Sequence, residues 1–125
     1  MKDLVLINRI KALPADVFAA FTNKRIIEIW TGEPAEMELT EGFNFSWFNG
    51  DISGVIVGFE ADKRLVQLWD FGDNPKSEVV ILFIPEGKGS RLEIRQKGIP
   101  DDDYENIKEG WIESVFESLK ELLEE

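Results

Sequence analysis

The 125-residue sequence contains no cysteine and no histidine. That double absence removes disulfides, thiolate or imidazole metal sites, cysteine nucleophiles and histidine-based catalytic triads. Carboxylate, lysine, tyrosine or serine chemistry remains, or none at all; the sequence predicts no cofactor and no metal site. Long apolar runs are missing too. None approaches the roughly 18 residues that a membrane span requires, and the opening "MKDLVLINRIK" sets Asp3, Asn8 and Arg9 where a signal peptide needs an unbroken apolar segment. A cytoplasmic protein is expected. Basic residues are outnumbered, 14 against 25 acidic, giving a formal net charge of -11. A phosphate backbone or an anionic membrane surface is therefore disfavoured as a partner, and nucleic acid with it.

What is present describes an ordinary folded core. Hydrophobic residues make up 43% and aromatics 11%, with only 5 Pro and no low-complexity run, so disorder is not expected. A chain of this length forms one domain, residues 1–125, able to bury about two-thirds of its extended surface.

Periodicity supplies the order of elements. Leu4, Leu6 and Ile10 alternate with Val5, Ile7 and Arg9, which predicts a strand ending near Leu13. Pro14 opens a helix through "PADVFAAFT", and "KRIIEIW" predicts a second short helix stopped by Gly32 and Pro34. Period two then holds for about sixty residues. "EMEL" is a short candidate strand. "FNFSWF" alternates Phe43, Phe45 and Trp47 with Asn44 and Ser46, and the turn at Asn49–Asp51 leads into "ISGVIVGFE". "LVQLWDF" sets Leu65, Gln67, Trp69 and Phe71 on one face and Asp70 on the other. "EVVILFI" is apolar on both faces, as a central strand would be. "RLEIRQK" turns Leu92 and Ile94 inward and Arg91, Glu93, Arg95 and Lys97 outward.

The last helix is apolar over half its circumference. At about 100° per residue, Ile107, Trp111, Leu122, Val115, Leu119, Ile112, Leu123 and Phe116 form one broad stripe. That is wider than a surface helix needs. A helix held in the concave face of a curled sheet, touched below and on both flanks, requires such a stripe. Asp102 with Glu105 predicts a capping box at its start, and Asp101–Asp103 complement the helix dipole.

"ALPADVFAAFTNKRIIEIWTG", "GFNFSWFNGDISGVIVGFEADKRLVQLWDF" and "RLEIRQKGIPDDDYENIKEGWIESVFESLK" together resemble the START-like (SRPBCC) superfamily. The resemblance is to the branch named for the activator of heat-shock protein 90 ATPase, specifically that activator's C-terminal domain. It covers nearly the whole chain, and its most specific parts are the turn–strand–turn pattern of Asn49–Phe71 and "GIP" followed by Gly110 and Trp111. It implies an α+β helix-grip fold: a curved antiparallel sheet of six to seven strands, two short helices after the first strand, and a long C-terminal helix in the concave face. It also implies a cavity between helix and sheet, used by different members for lipids, polyketides, hormones or other apolar molecules. The activator's separate N-terminal domain, which does much of the chaperone binding, has no counterpart in these residues.

Trp30, Phe45, Trp47, Trp69, Phe71, Phe83 and Trp111 are candidates to line such a cavity, with core packing as the alternative for each. Gln67, Ser114 and Val115 complete the candidate ligand-binding set. Gly110, Ser114 and Ser118 form a row of small residues that reads first as close packing. Gly54 and Gly58 read as bends or bulges of a curved sheet. Asp70 reads as solvated, and neither it nor Gln67 forms a convincing catalytic pair. The expectation is non-catalytic binding of a hydrophobic small molecule. A chaperone-associated accessory role is the alternative, and a cyclase- or hydrolase-like enzyme ranks third.

Overall fold

The alternation in the middle of the chain builds a six-stranded antiparallel sheet in a computed structural model that describes residues 1–124. The strands are β1 (Lys2–Ile10), β2 (Asn44–Trp47), β3 (Ile52–Glu60), β4 (Arg64–Trp69), β5 (Ser77–Glu86) and β6 (Gly89–Ile99), in the spatial order β1-β6-β5-β4-β3-β2. Strands β2 to β6 are joined as successive hairpins, and β1 closes the far edge against β6 from Lys2↔Ile99 to Ile10↔Ser90. Between β1 and β2 the chain forms helices α1 (Pro14–Thr22) and α2 (Lys24–Thr31), separated by Asn23, whose side chain caps α2 by accepting from the Ile26 amide. Gly32 ends α2 in the left-handed conformation that glycine adopts at least cost.

One face of the sheet is the core. Facing residues such as Ile56, Gln67 and Val79, or Leu65, Ile81 and Ile94, lie in register across β3 to β6 and are buried. Phe18 and Phe21 of α1 pack edge-on against Phe83, and Phe21 also meets Trp47. The curved sheet, the two short helices and the long C-terminal helix reproduce the expected helix-grip architecture.

The C-terminal helix is one continuous rod in three parts: α3 (Tyr104–Glu109), a π-helical segment (Gly110–Phe116) and α4 (Glu117–Leu123). Trp111, Val115, Phe116 and Leu119 are buried, and Ile107, Leu122 and Leu123 are half-buried. Ile112, expected in the stripe, is 40% exposed. The reason is the π segment, whose wider turns advance each residue by less than an α-helix does and swing Ile112 off the contact face.

Three further expectations are corrected. "EMEL" forms no strand: Glu36 makes a single bridge to Ser46, and the Thr40 amide then donates to the Glu38 carbonyl, turning the chain off the ladder. The Asp102–Glu105 capping box does not form. Asp101–Asp103 is a tight 3-10 turn without side-chain caps, and Asp101 instead accepts from the Met1 amino group at 2.8 Å, which holds its carboxyl below the usual carboxylate range. Glu93 faces outward as expected but is only 7% exposed. Its register neighbours Ile7 and Leu82 cover it, and Arg95 Nε lies 2.7 Å from its carboxylate.

Candidate functional site

A cleft of about 520 Å³ opens between the C-terminal helix and the β2–β3 end of the sheet. Its floor is Trp69, Trp111 and Val115. One wall is Phe48, Asp51 and Ile52, and the other is Asn106, Ile107, Gly110 and Ser114. The floor is sheet and helix in direct contact, with the indoles of Trp69 and Trp111 stacked at 5.2 Å and 19° between planes. A smaller hollow of about 30 Å³ adjoins it and adds Ser53, Asp70 and Phe71.

Both walls carry unusual backbone. Phe48 and Asn49, with φ of 53° and 54°, precede Gly50 at 93°, so three consecutive residues are left-handed. For a bulky residue such as Phe48 that conformation is a strained one. Opposite stands the π-helical segment, a rare geometry that concentrates at functional sites. Gly110 lies where the two walls face each other, and a Cβ added there would meet nothing within 4 Å. The small-residue row therefore opens space at Gly110 instead of allowing close packing. Gly54 is the opposite case: a Cβ there would collide with the Leu68 carbonyl, so β3 and β4 approach too closely for any side chain.

Of the ten residues expected to bind a ligand, the cleft brings together Trp69, Trp111, Ser114 and Val115, and Phe71 lines the adjoining hollow. Trp30, Phe45, Trp47, Gln67 and Phe83 lie outside the cleft lining and are 0 to 7% exposed. They fill the interior: Trp47 touches Phe21, Trp30, Phe45 and Trp69, and Trp30 Nε1 donates to the Ala20 carbonyl at 2.8 Å. Sequence reasoning missed Phe48, Asp51, Ile52, Asn106, Ile107 and Gly110 as lining. The Asn49–Asp51 turn signal located one wall but not what faces it.

Two buried tryptophan–glutamine pairs underlie the cleft floor. Trp111 Nε1 donates to Gln96 Oε1 at 2.9 Å, Gln96 Nε2 donates to Ser77 Oγ at 3.1 Å, and Ser77 Oγ donates to the Lys97 carbonyl at 2.6 Å. Trp69 Nε1 likewise donates to Gln67 Oε1 at 2.9 Å, but Gln67 Nε2 finds no acceptor among the described residues, and neither does Trp47 Nε1. Asp70 is exposed and accepts from the Gly72 amide at 3.0 Å. Asp51 is the only charged residue in the cleft lining among the described residues.

A wider surface dish of about 760 Å³ lies toward the other end of the helix, among Arg9, Lys11, Lys88, Lys120, Glu86 and Glu124. Arg9 Nε lies 3.1 Å from Glu86 there, and the Lys11 backbone amide donates to Glu124 at 2.8 Å. Apart from Ile10 and Gly89, its lining residues are charged or polar.

Comparison with known proteins agrees with this architecture. The family "Activator of Hsp90 ATPase homolog 1-like protein" matches residues 11–124. The activator of 90 kDa heat shock protein ATPase homolog of Dictyostelium discoideum is 31% identical over 95% of this chain and 32% of its own length. The chain thus spans about a third of that relative. An HSP90 activator of Plasmodium falciparum has a crystal structure that superposes with a TM-score of 0.90, at 22% identity, covering 98% of this chain and 96% of that one. CalU16 of Micromonospora echinospora superposes with a TM-score of 0.81 at 27% identity, covering 94% of this chain and 73% of the other. With a match over all but its first ten residues and its last, the chain belongs to the family of Activator of Hsp90 ATPase homolog 1-like proteins.

Proposed function

We propose that the protein binds an apolar small molecule, without covalent chemistry, in the cleft between the C-terminal helix and the sheet. The observation that carries this reading is the cleft itself. About 520 Å³ of concave space floored by two stacked tryptophans is of the size and lining that small-molecule sites share, and strained backbone stands on one wall with a π segment on the other. The role belongs to a single domain, residues 1–125, in the cytoplasm.

Native mass spectrometry of gently purified protein, repeated after incubation with a library of apolar compounds, is the direct test. An adduct that disappears on denaturation is expected. Ser114→Phe, which adds an aromatic ring to an exposed wall position, is expected to abolish the adduct while leaving the melting temperature nearly unchanged. A clean apo mass throughout would remove this reading.

A second reading has its own support: the Dictyostelium relative, at 31% identity, is named for activation of a heat-shock chaperone ATPase. In that role the chain acts through its surface as an accessory to an Hsp90-type chaperone. Stimulation of such a chaperone's ATPase that survives Ser114→Phe would favour it over the cleft reading.

A further inference from the structure

The two tryptophan–glutamine pairs beneath the cleft are built alike and finished differently. In the first, every donor has an acceptor, from Trp111 through Gln96 and Ser77 to the Lys97 carbonyl. In the second, the relay stops at Gln67. Its amide cannot be flipped to improve matters, because the Trp69 indole N–H is a donor and requires the glutamine oxygen to face it. Gln67 Nε2 is therefore committed as a donor, in a side chain that is 0% exposed, with no acceptor among the described residues. Trp47 Nε1 is in the same position, also at 0% exposure, on a ring that packs edge-to-face against Trp69 with centroids 6.0 Å apart. Of the four buried side-chain donors without a partner among the described residues, these two border Trp69, a residue of the cleft floor, while Asn8 Nδ2 and Arg91 Nε lie elsewhere, on β1 and β6. Unsatisfied buried donors are costly and uncommon in native proteins, and each calls for an explanation.

We infer that the cleft recognises a neutral apolar molecule bearing a carbonyl or ether oxygen, and that this oxygen is the acceptor for Gln67 Nε2 and Trp47 Nε1. The inference rests on the cleft reading above and adds the chemistry of the ligand. A pure hydrocarbon would leave both donors unmet. A carboxylate would bring a third negative charge beside Asp51 and Asp70, where the lining offers no cation among the described residues. Both donors lie behind Trp69 and outside the lining, and Trp47 is followed in sequence by Phe48, the left-handed residue of the cleft wall, so the ligand oxygen must displace part of the floor or wall to reach them.

Three naphthalene probes of matched shape separate the possibilities: acetonaphthone, ethylnaphthalene and naphthoate. Binding is followed in the proton–nitrogen spectrum of the isotope-labelled chain, where each of the 4 tryptophans gives its own indole signal. The ketone is expected to bind about tenfold more tightly than the hydrocarbon, the worth of one to two neutral hydrogen bonds, with the carboxylate weakest. Ketone binding is expected to move the Trp47 indole and the Gln67 side-chain amide downfield more than the Trp30 and Trp111 indoles. Trp47→Phe keeps a ring and removes one unmet donor, and is expected to shrink the preference for ketone over hydrocarbon. The unsubstituted protein decides the matter should that variant fail to fold. Equal binding of ketone and hydrocarbon would overturn the acceptor inference and leave the cleft reading standing. No binding by any probe would count against both. A Trp47 indole signal already at the hydrogen-bonded position in the free protein, and unmoved by ketone, would assign the donor to buried water and overturn the inference.

Discussion

At the scale of single residues, the two buried glutamines make a natural comparison. Gln96 is the middle of a chain of three hydrogen bonds, so Gln96→Leu strands the Trp111 indole as a donor and takes from Ser77 Oγ the donor it now receives. We expect a loss of about 2–4 kcal/mol, read from urea melts. Gln67→Leu strands only the Trp69 indole and at the same time deletes an amide that was itself unmet. Its cost is expected to be nearer 1 kcal/mol, because one penalty offsets another. Equal losses at the two positions would mean that Gln67 Nε2 has a partner in solution. Both glutamines occupy register positions next to Val79 on the core face, so their different costs reflect bonding and not depth.

Among elements, the C-terminal helix is the one whose geometry departs from its sequence pattern. A π segment holds more residues per turn than an α-helix, so it can shed a residue by tightening, which regular α-helix cannot do without rotating everything downstream. Deletion of Ile112, exposed and inside Gly110–Phe116, is expected to leave a folded protein with a melting temperature reduced by a few degrees. Deletion of Lys120 in α4 is expected to disrupt the burial of Leu122 and Leu123 and to lower the melting temperature far more. Thermal melts by circular dichroism compare the two directly. The π segment also marks where reading the sequence stops short. Leu65, Gln67 and Trp69 were legible as one face because a strand fixes its side chains by parity alone. Helices α1 and α2 were legible from Pro14, Asn23 and Gly32. Ile112 was not, since its place depends on a change of helical pitch that no residue announces. Nor was the absence of the Asp102 cap, since Asp101 is drawn to the amino group of Met1, a hundred residues away in sequence. The cleft shares this limit. Asp51 and Asn106 become opposite walls only when a turn and a helix meet in space.

For the whole molecule, the outer face of the sheet is as informative as the core. Val66 and Val80 lie in register there with Arg95 and Val5, and Leu82 with Glu93 and Ile7, while the helices all pack on the other side. Val5 and Ile7 remain 59% and 50% exposed. This explains why "EVVILFI" reads as apolar on both faces although only one of them is covered.

The pairing of β1 with β6 has a consequence in time. Strands β2 to β6 can zip together as neighbouring hairpins, each closing a short loop, whereas β1 must wait for residues 90–99 before it has a partner at all. Closing so long a loop is entropically expensive before its contacts reward it, so this edge should be the last to form and the first to leave. Leu4→Ala on β1 is then expected to act almost wholly by speeding unfolding, and Ile81→Val, in the middle of the meander, to act mainly by slowing folding. Stopped-flow kinetics on the native tryptophans would show this as movement of opposite arms of the chevron. The same order implies that a chain growing from its N-terminus carries β1 unpaired until β6, Gly89–Ile99, has emerged, so the edge that closes the fold is also the segment most in need of protection while the protein is being made.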